Sequence, residues 1–185
     1  DVIRRELKLL EGQVFSQKDL NKSIERIKRL GFFSDVNFDL AKDKNNSDSV
    51  TLNINVIESK TGEISIGLSH SNSTGASINA GITQNNILGT GNVFNATLAN
   101  SSAVKETSFY FKDPYFNNLG HSISYGLFDK NIDAENLDAA SYTISETGFI
   151  LGYGIPLSNV SNIFAETRLS SLDLKCGNDL KTLYE

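Results

Sequence analysis

The sequence predicts a small α+β domain followed by part of an antiparallel transmembrane β-barrel of about seven strands. In the segment Gly62–Ser69, Ile64, Ile66 and Leu68 alternate with small or polar residues, so a strand here has one apolar and one polar face. The same alternation recurs along the rest of the chain, whereas the residues before it begin with a helical period. We therefore predict two domains, at residues 1–60 and 61–185.

Composition narrows the class of protein. The net charge of -5 argues against a nucleic-acid-binding protein, which normally has a basic patch. No stretch approaches the roughly 18 apolar residues of a membrane helix. This criterion does not detect the strands of a membrane barrel, in which apolar and polar residues alternate. The chain begins at Asp1 and has no Met, so we expect it to be a piece of a longer protein. The single cysteine, Cys176, predicts neither an internal disulfide nor a metal cluster.

Two helices are predicted at the start of the chain. The segment Val2–Leu10 carries Ile3, Leu7 and Leu10 at helical spacing and should form a short amphipathic helix that packs with this face against a core. A second helix should begin after Ser16, an N-cap residue. Asp19 stands in the capping-box position, and Gly31 stands where a left-handed C-cap is expected. The buried stripe of this second helix should consist of Leu20, Ile24, Ile27 and Leu30.

Two antiparallel strands should follow these helices. Val36, Phe38 and Leu40 alternate with polar residues, and the segment Val50–Val56 alternates in the same way. The polar run Lys42–Ser49 between them predicts a turn. Helix, helix, strand, strand makes a compact α+β unit without a strand at its front edge, and we expect that strand to precede this sequence.

The junction between the second helix and the next strand reads Leu30-Gly31-Phe32-Phe33-Ser34-Asp35-Val36. With this order of elements, the first sixty residues resemble a POTRA domain, whose pattern is β-α-α-β-β. On these residues alone, an unrelated small α+β domain is the alternative.

The second domain divides into seven predicted strands. The connection Ser59-Lys60-Thr61 is very short, Asn86–Gly91 is a Gly-rich turn, and Asp113–Phe116 ends a strand because Pro114 cannot donate to a ladder. Polar loops are predicted at 129–140 and 173–185. The predicted strands run through 62–69, 76–83, 94–99, 109–111, 122–127, 148–155 and 163–170.

The residues opposite the apolar face favour a membrane barrel. They are mostly Ser, Asn, Thr and Gly, joined by Glu166 and Arg168, whereas a soluble sandwich usually exposes many Lys and Glu residues. The apolar faces of the predicted strands carry no charge, as a lipid-facing band requires when a charge near the midplane costs about 2–4 kcal/mol. Phe116, Tyr125 and Tyr153 lie near strand ends, as an aromatic girdle would. A soluble β-sandwich with an α+β domain is the alternative.

The lengths of the breaks between strands predict an orientation, because barrels have short periplasmic turns and longer outside loops. The turns at Gly89–Gly91, 113–119 and 156–161 should be periplasmic. The breaks near Ser71, Ser101, Asn131 and Cys176 should be extracellular.

The two turn sequences extend the resemblance over the whole chain. The first is Asn86-Ile87-Leu88-Gly89-Thr90-Gly91, and the second is Asp113-Pro114-Tyr115-Phe116. Placed after Gly31-Phe32-Phe33, they look like the BamA family of outer-membrane assembly proteins, where the last POTRA domain joins the barrel. The resemblance implies a barrel of roughly sixteen strands. The Arg-Gly-Phe loop and the closing strand of that family would lie beyond Glu185.

The resemblance implies a function, which is the folding and insertion of β-barrel proteins into the outer membrane of Gram-negative bacteria. It also implies partners, namely barrel clients, accessory lipoproteins and outer-membrane lipid, and a periplasmic location for the POTRA part. The first barrel strand would act as a lateral gate that pairs with a client strand. An ordinary barrel strand is the alternative role for its residues, Gly62, Glu63, Ile64, Ser65, Ile66, Gly67, Leu68 and Ser69.

A second binding edge is expected in the first domain, where Val36, Phe38 and Leu40, or the strand Val50–Val56, could receive client segments or accessory lipoproteins. The alternative function is that of a related POTRA-barrel transporter, either a two-partner secretion pore or a TamA-type translocation factor, which would share the same architecture. A passive porin would lack the first domain.

No enzyme, cofactor or metal site is predicted. His70 and His121 have no Ser, Cys or Asp placed for a triad, and we expect both in solvated loops. Gly89-Thr90-Gly91 lacks the Lys of a phosphate loop, and the acidic run Asp129–Asp138 lacks the calcium-loop pattern.

Overall fold

The chain forms two compact units, Asp1–Thr61 with Leu88–Thr90, and Gly62–Ile87 with Gly91–Glu185. The structure is a computed structural model, and it describes residues 2–42, 49–72, 75–135, 141–158 and 161–177. Parts of the predicted turns and loops at 43–48, 73–74, 136–140, 159–160 and 178–185 lie outside the described residues.

The first unit has the predicted order of helix, helix, strand, strand. Helix α1 is Val2–Glu6, α2 is Gln17–Arg29, β1 is Phe33–Lys42 and β2 is Val50–Glu58. The two strands form an antiparallel sheet in which Val36 lies opposite Val56. The buried apolar side chains that hold the unit together are Val2, Leu20, Ile27 and Val36.

Helix α2 has the predicted caps. The hydroxyl of Ser16 accepts a hydrogen bond from the Asp19 amide at 3.3 Å. Gly31 follows the C-cap residue Leu30 with φ of +71°, a left-handed conformation that favours glycine. Leu20 and Ile27 are fully buried, and Ile24 and Leu30 are half-buried. The sequence therefore located this helix and both of its ends correctly.

Helix α1 is shorter than the sequence predicted, since it ends at Glu6 rather than Leu10. The backbone amide of Lys8 donates to the buried hydroxyl of Ser23 on α2 at 2.8 Å. Glu6 also pairs with Arg26 at 2.9 Å, so α1 is tied to α2 by two polar contacts. Leu10, expected on the buried face, is 66% exposed. Within the described part of the chain, neither helix is long and apolar enough to cross a bilayer.

The second unit is one antiparallel sheet of seven strands in sequence order, as predicted. Each strand of this sheet pairs with its neighbours in the chain. A short 3₁₀ turn, Ile87–Gly89, follows the second strand of the sheet in sequence. The strands are β3 Gly62–Ser71, β4 Gly75–Asn85, β5 Val93–Ser101, β6 Val104–Asp113, β7 Ser122–Asp133, β8 Tyr142–Pro156 and β9 Asn162–Cys176.

The later strands are longer than predicted. Strand β7 continues to Asp133, β8 already begins at Tyr142, and β9 continues to Cys176. The predicted loops at 129–140 and 173–185 were therefore wrong over 129–133 and 173–176. The prediction followed one apolar face, and that face becomes polar where these strands extend.

The two faces of the sheet exchange polarity at these ends. We name the faces by β3: the apolar face carries Ile64, Ile66 and Leu68, and the polar face carries Ser65 and Gly67. Toward the far ends of β6–β9, the row on the apolar face becomes Lys105, Asn131, Ser145 and Asp173. The neighbouring row on the polar face becomes Val104, Ile132, Ile144 and Leu174.

We expect Ile27→Ala to lower the free energy of unfolding of the first unit by about 2–5 kcal/mol, because the side chain is fully buried. Ile57→Ala removes the same atoms from a side chain that is 60% exposed and should cost under about 1 kcal/mol. Hydrogen exchange of the α2 amides measures both losses. Equal losses would contradict the placement of the core.

We expect Gly31→Ala to destabilise the first unit by about 1–2 kcal/mol through backbone strain alone. A Cβ at Gly31 would meet no atom within 4 Å, so no clash contributes. Gly31→Asn should cost less, because Asn tolerates the left-handed conformation better. The same exchange experiment on α2 gives the comparison, and an Asn variant as unstable as the Ala variant would contradict the capping role.

Candidate functional site

Strand β3 lies at one edge of the seven-stranded sheet. It pairs with β4 from Gly62 opposite Gln84 to Ser71 opposite Gly75. Within the described residues, no strand pairs with its other side, and β9 forms the second edge. One row of backbone N–H and C=O groups along β3 is therefore open to another strand.

The apolar face of β3 is exposed to an unusual degree for large aliphatic side chains. Ile64, Ile66 and Leu68 are 73%, 77% and 79% exposed. A contiguous exposed apolar patch of this kind indicates contact with lipid or with another protein. The role of residues 62–69 as a pairing edge stays a prediction.

On the polar face, the contacts between the side chains of β3 and the strand β4 include hydrogen bonds of serine hydroxyls. The Ser65 hydroxyl donates to the Gly81 carbonyl at 3.5 Å, and the hydroxyl oxygens of Ser69 and Ser77 lie 2.5 Å apart. These side chains add little packing to the backbone ladder. On this face, the two strands are therefore held together chiefly by backbone hydrogen bonds.

The apolar face is continuous across the sheet. The register puts one apolar side chain from every strand in a single row, Ile64, Ile82, Ala96, Phe109, Leu127, Phe149 and Leu169. On β3 the apolar stretch extends from this row to Leu68, and on β8 it extends in the opposite direction to Ile155.

The shift of the apolar stretch from strand to strand makes the apolar band oblique to the strands. From β3 to β8, the centre of the apolar stretch moves on average by about one residue per strand step. With ~3.4 Å per residue and ~4.8 Å between strands, such a band crosses the sheet at roughly 35°. Strands of outer-membrane barrels tilt by about 35–45° from the membrane normal.

The charge-free character of the apolar face holds for the central band and not for the whole strands. Lys105, Asp129 and Asp173 lie on the same face, beyond the band toward the far ends of β6, β7 and β9. The strands are longer than predicted, and their added ends bring in these charges.

Charged side chains pair between neighbouring strands on the polar face of β6–β9. Glu106, Lys130 and Glu146 share one register row, whereas Arg168 lies opposite Ile150, four residues from the β9 position that faces Glu146. Glu106 lies 3.6 Å from Lys130, and Glu146 lies 3.2 Å from Arg168. The Arg168 guanidinium also stacks over the Phe128 ring, 3.8 Å from its centroid. Arg168 was predicted on this face, but its partners Glu146 and Phe128, which lie on other strands, were not predicted.

The predicted edge in the first unit has a graded exposure. Val36 is buried, Phe38 is 36% exposed and Leu40 is 44% exposed. Among the described residues, β1 and β2 pair only with each other, so both strands have an open side. Their role in binding client segments or lipoproteins stays a prediction.

The family turn residues have the local geometry of tight turns. Gly31, Asn86, Gly89 and Gly91 all have positive φ, and the Asn86 side-chain oxygen accepts the Gly91 amide at 2.8 Å. The rings of Phe32 and Phe33 lie edge to face at 6.5 Å.

The Asp113-Pro114-Tyr115-Phe116 turn is closed by its first side chain. The Asp113 carboxylate accepts the Tyr115 amide at 2.8 Å. Phe116 is 53% exposed at the same turn. The Tyr115 ring lies beside Gly120, which has φ of +78°.

The histidines differ from the prediction of two solvated loop residues. His70 lies inside β3 and is exposed. His121 is half-buried, with Nδ1 2.6 Å from the Tyr153 hydroxyl. No group of three or more metal-ligating side chains occurs in the described ranges. Cys176 ends β9 as an exposed thiol.

Both units match known families. The POTRA family, described as a surface antigen variable number repeat, matches residues 1–59. The Omp85 superfamily domain matches residues 86–183, more than half of the chain.

Three curated relatives are outer membrane protein assembly factors named BamA. The chain is 28% identical to that of Neisseria meningitidis serogroup B over 88% of its length and 27% identical to that of Nitratidesulfovibrio vulgaris over 94%. It is 26% identical to that of Buchnera aphidicola over 88% of its length. The chain spans only 21% to 26% of these relatives.

Two solved structures share the fold. The crystal structure of BamA from Haemophilus ducreyi lacking POTRA domains 1–3 matches 94% of this chain, and the chain covers 33% of it, with a TM-score of 0.76 and 25% identity. CdiB from Acinetobacter baumannii matches 91% of the chain, which covers 35% of CdiB, with a TM-score of 0.53 and 14% identity, a likeness of fold alone. The similarity to BamA inferred from the turn motifs is thus confirmed, and this chain belongs to the Omp85 superfamily.

Proposed function

We propose that the protein containing this chain folds and inserts β-barrel proteins into the outer membrane, with β3 as the edge that receives a client strand. One observation carries the proposal: in the part of the chain that the structure describes, β3 pairs only with β4, and its Ile64, Ile66 and Leu68 are each more than 70% exposed. The name of the three relatives, outer membrane protein assembly factor, supports the same activity.

The proposed location is the outer membrane, with residues 1–60 as a periplasmic POTRA domain and residues 61–185 as the first strands of a transmembrane barrel. The continuous apolar row and the roughly 35° tilt of the apolar band support lipid contact. The Ser, Asn, Thr and Gly residues of the polar face on β3–β5 suit a wet interior.

The mechanism needs no covalent chemistry. An unpaired N–H or C=O group in hydrocarbon costs several kcal/mol, so an open β3 edge in the membrane has a strong tendency to acquire a strand. A client strand that adds to this edge pairs its own backbone at the same time. Burial of client side chains in lipid supplies the driving force, so neither a nucleotide nor a cofactor is required.

The first unit contributes a second proposed binding edge. The partly exposed Phe38 and Leu40 on β1, and the open side of β2, suit the addition of an extended segment. We assign accessory lipoproteins and client segments to these edges as proposed partners.

Crosslinking tests the β3 edge directly. With Cys176→Ser as background, Ser65→Cys or Ser69→Cys in the full-length protein should form disulfides with a cysteine in the terminal strand of a client during assembly in cells. Ser77→Cys is the matched control, because β4 is paired on both sides and should capture no client. Capture of only the protein's own last strand, even with a stalled client present, would favour a secretion pore.

Lysine substitution tests which face contacts lipid. Phe109→Lys, in the apolar row, should destabilise the protein folded in phospholipid vesicles by about 2–4 kcal/mol. Ser108→Lys, the next residue on the polar face, loses only a hydroxyl contact with Thr97 and should cost about 1 kcal/mol. Urea titrations of the full-length protein in vesicles measure both. Equal costs would argue against lipid contact at Phe109.

A further inference from the structure

The polar face contains glycines that are covered by large side chains from the next strand. Phe128 on β7 covers Gly148, its register partner on β8, and Phe164 on β9 covers both Gly152 and Gly154. A Cβ would lie only 2.4 Å from the covering ring at Gly148 and 2.5 Å from it at Gly152. At Gly154 the ring is 3.3 Å away, and the Ser122 hydroxyl is nearer, at 2.3 Å. In the same way, Gly126 lies against Ile150, 3.2 Å from a Cβ placed on the glycine.

Gly67 on β3 lies on the same face but has no such cover. A Cβ at Gly67 would meet no atom within 4 Å. Its register partner on β4 is Asn79, whose side chain does not reach it. Around it is a hollow of about 460 Å³ in the polar face, whose walls include Ser65, Asn79, Gly81, Thr97 and Ala99.

Neither backbone geometry nor a present neighbour explains glycine at position 67. Its φ is not positive, so an alanine or valine would fit the backbone. Glycine inside a strand has an entropic cost and often marks the close approach of another chain. Within the described residues, no strand pairs with the side of β3 away from β4, so a strand that adds to this edge could supply a covering group.

We propose that the hollow over Gly67 receives an aromatic side chain from the polar face of the client strand that pairs with β3. This inference rests on the function proposed above and specifies a property of its substrate. An aromatic ring reaches register and diagonal positions of the neighbouring strand, as Phe164 does over Gly152 and Gly154. Such covering of edge glycines also fixes strand register.

The test uses the full-length protein in liposomes and one barrel client in two forms, with Phe or Ala at the position that crosslinking through Ser65→Cys and Ser69→Cys places opposite Gly67. We expect the Phe client to assemble up to about fivefold faster on the wild-type protein. With Gly67→Val, which places a β-branched side chain directly over position 67, the two clients should assemble at the same rate. Gly67→Ala should give an intermediate ratio.

The control is Ser77→Val on β4, which adds a β-branched side chain to the same face but outside both the hollow and the pairing edge, and which should preserve the preference for Phe. Equal rates for both clients on the wild-type protein, with client crosslinks present, would overturn the inference and leave the proposed function standing. An unchanged preference in Gly67→Val would also overturn it. Absence of client crosslinks would instead defeat the proposed function, and the inference with it.

Discussion

Backbone hydrogen bonding between neighbouring strands is the constraint on which the second unit depends. Every strand from β4 to β8 is paired on both sides, and each partner is a neighbour in the chain. Where such a sheet meets hydrocarbon, no water can replace a missing partner. Among the described residues, the backbone N–H and C=O groups without a strand partner are therefore at the two edges of the sheet. The side chains decide which solvent each face meets, and the backbone decides where another strand can bind.

Much of this fold could be predicted because local signals and tertiary structure agree. Helix α2 has a side-chain cap at Ser16 and a glycine at position 31, and both operate as their residue types suggest. The end of α1 could not be predicted, because it depends on a hydrogen bond between Lys8 and Ser23 on another helix. Periodicity reports which face of an element is apolar, and it carries no information about a partner fifteen residues away.

The strand ends were missed for a related reason. In β7 and β8 the apolar residues Ile132 and Ile144 lie on the face opposite to Leu127 and Phe149. A search for one apolar face therefore stops too early, although the backbone ladder continues.

The edge strand was apparent from the sequence, whereas most of the interactions on the polar face were not. Residues 62–69 alternate without interruption, and Gly67 stands out among them. The pairs Glu106–Lys130 and Glu146–Arg168 come from different strands and meet only through the register. The cover of Phe164 over the glycines of β8 likewise depends on the pairing of β8 with β9. Once a register is known, opposite charges and glycine–aromatic pairs on facing positions can be searched for directly.

The exchange of polarity along β6–β9 has a consequence for the biogenesis of the protein itself. In the predicted orientation, the strand ends that carry Lys105, Asp129 and Asp173 lie on the extracellular side of the membrane. The chain would reach the membrane from the periplasmic side. Each of these side chains must cross the hydrocarbon once, at a transient cost of up to about 2–4 kcal/mol near the midplane. This cost affects the rate of insertion and does not change the stability of the inserted sheet. In that orientation, the cost should slow the unassisted insertion of β6, β7 and β9, which carry these charges.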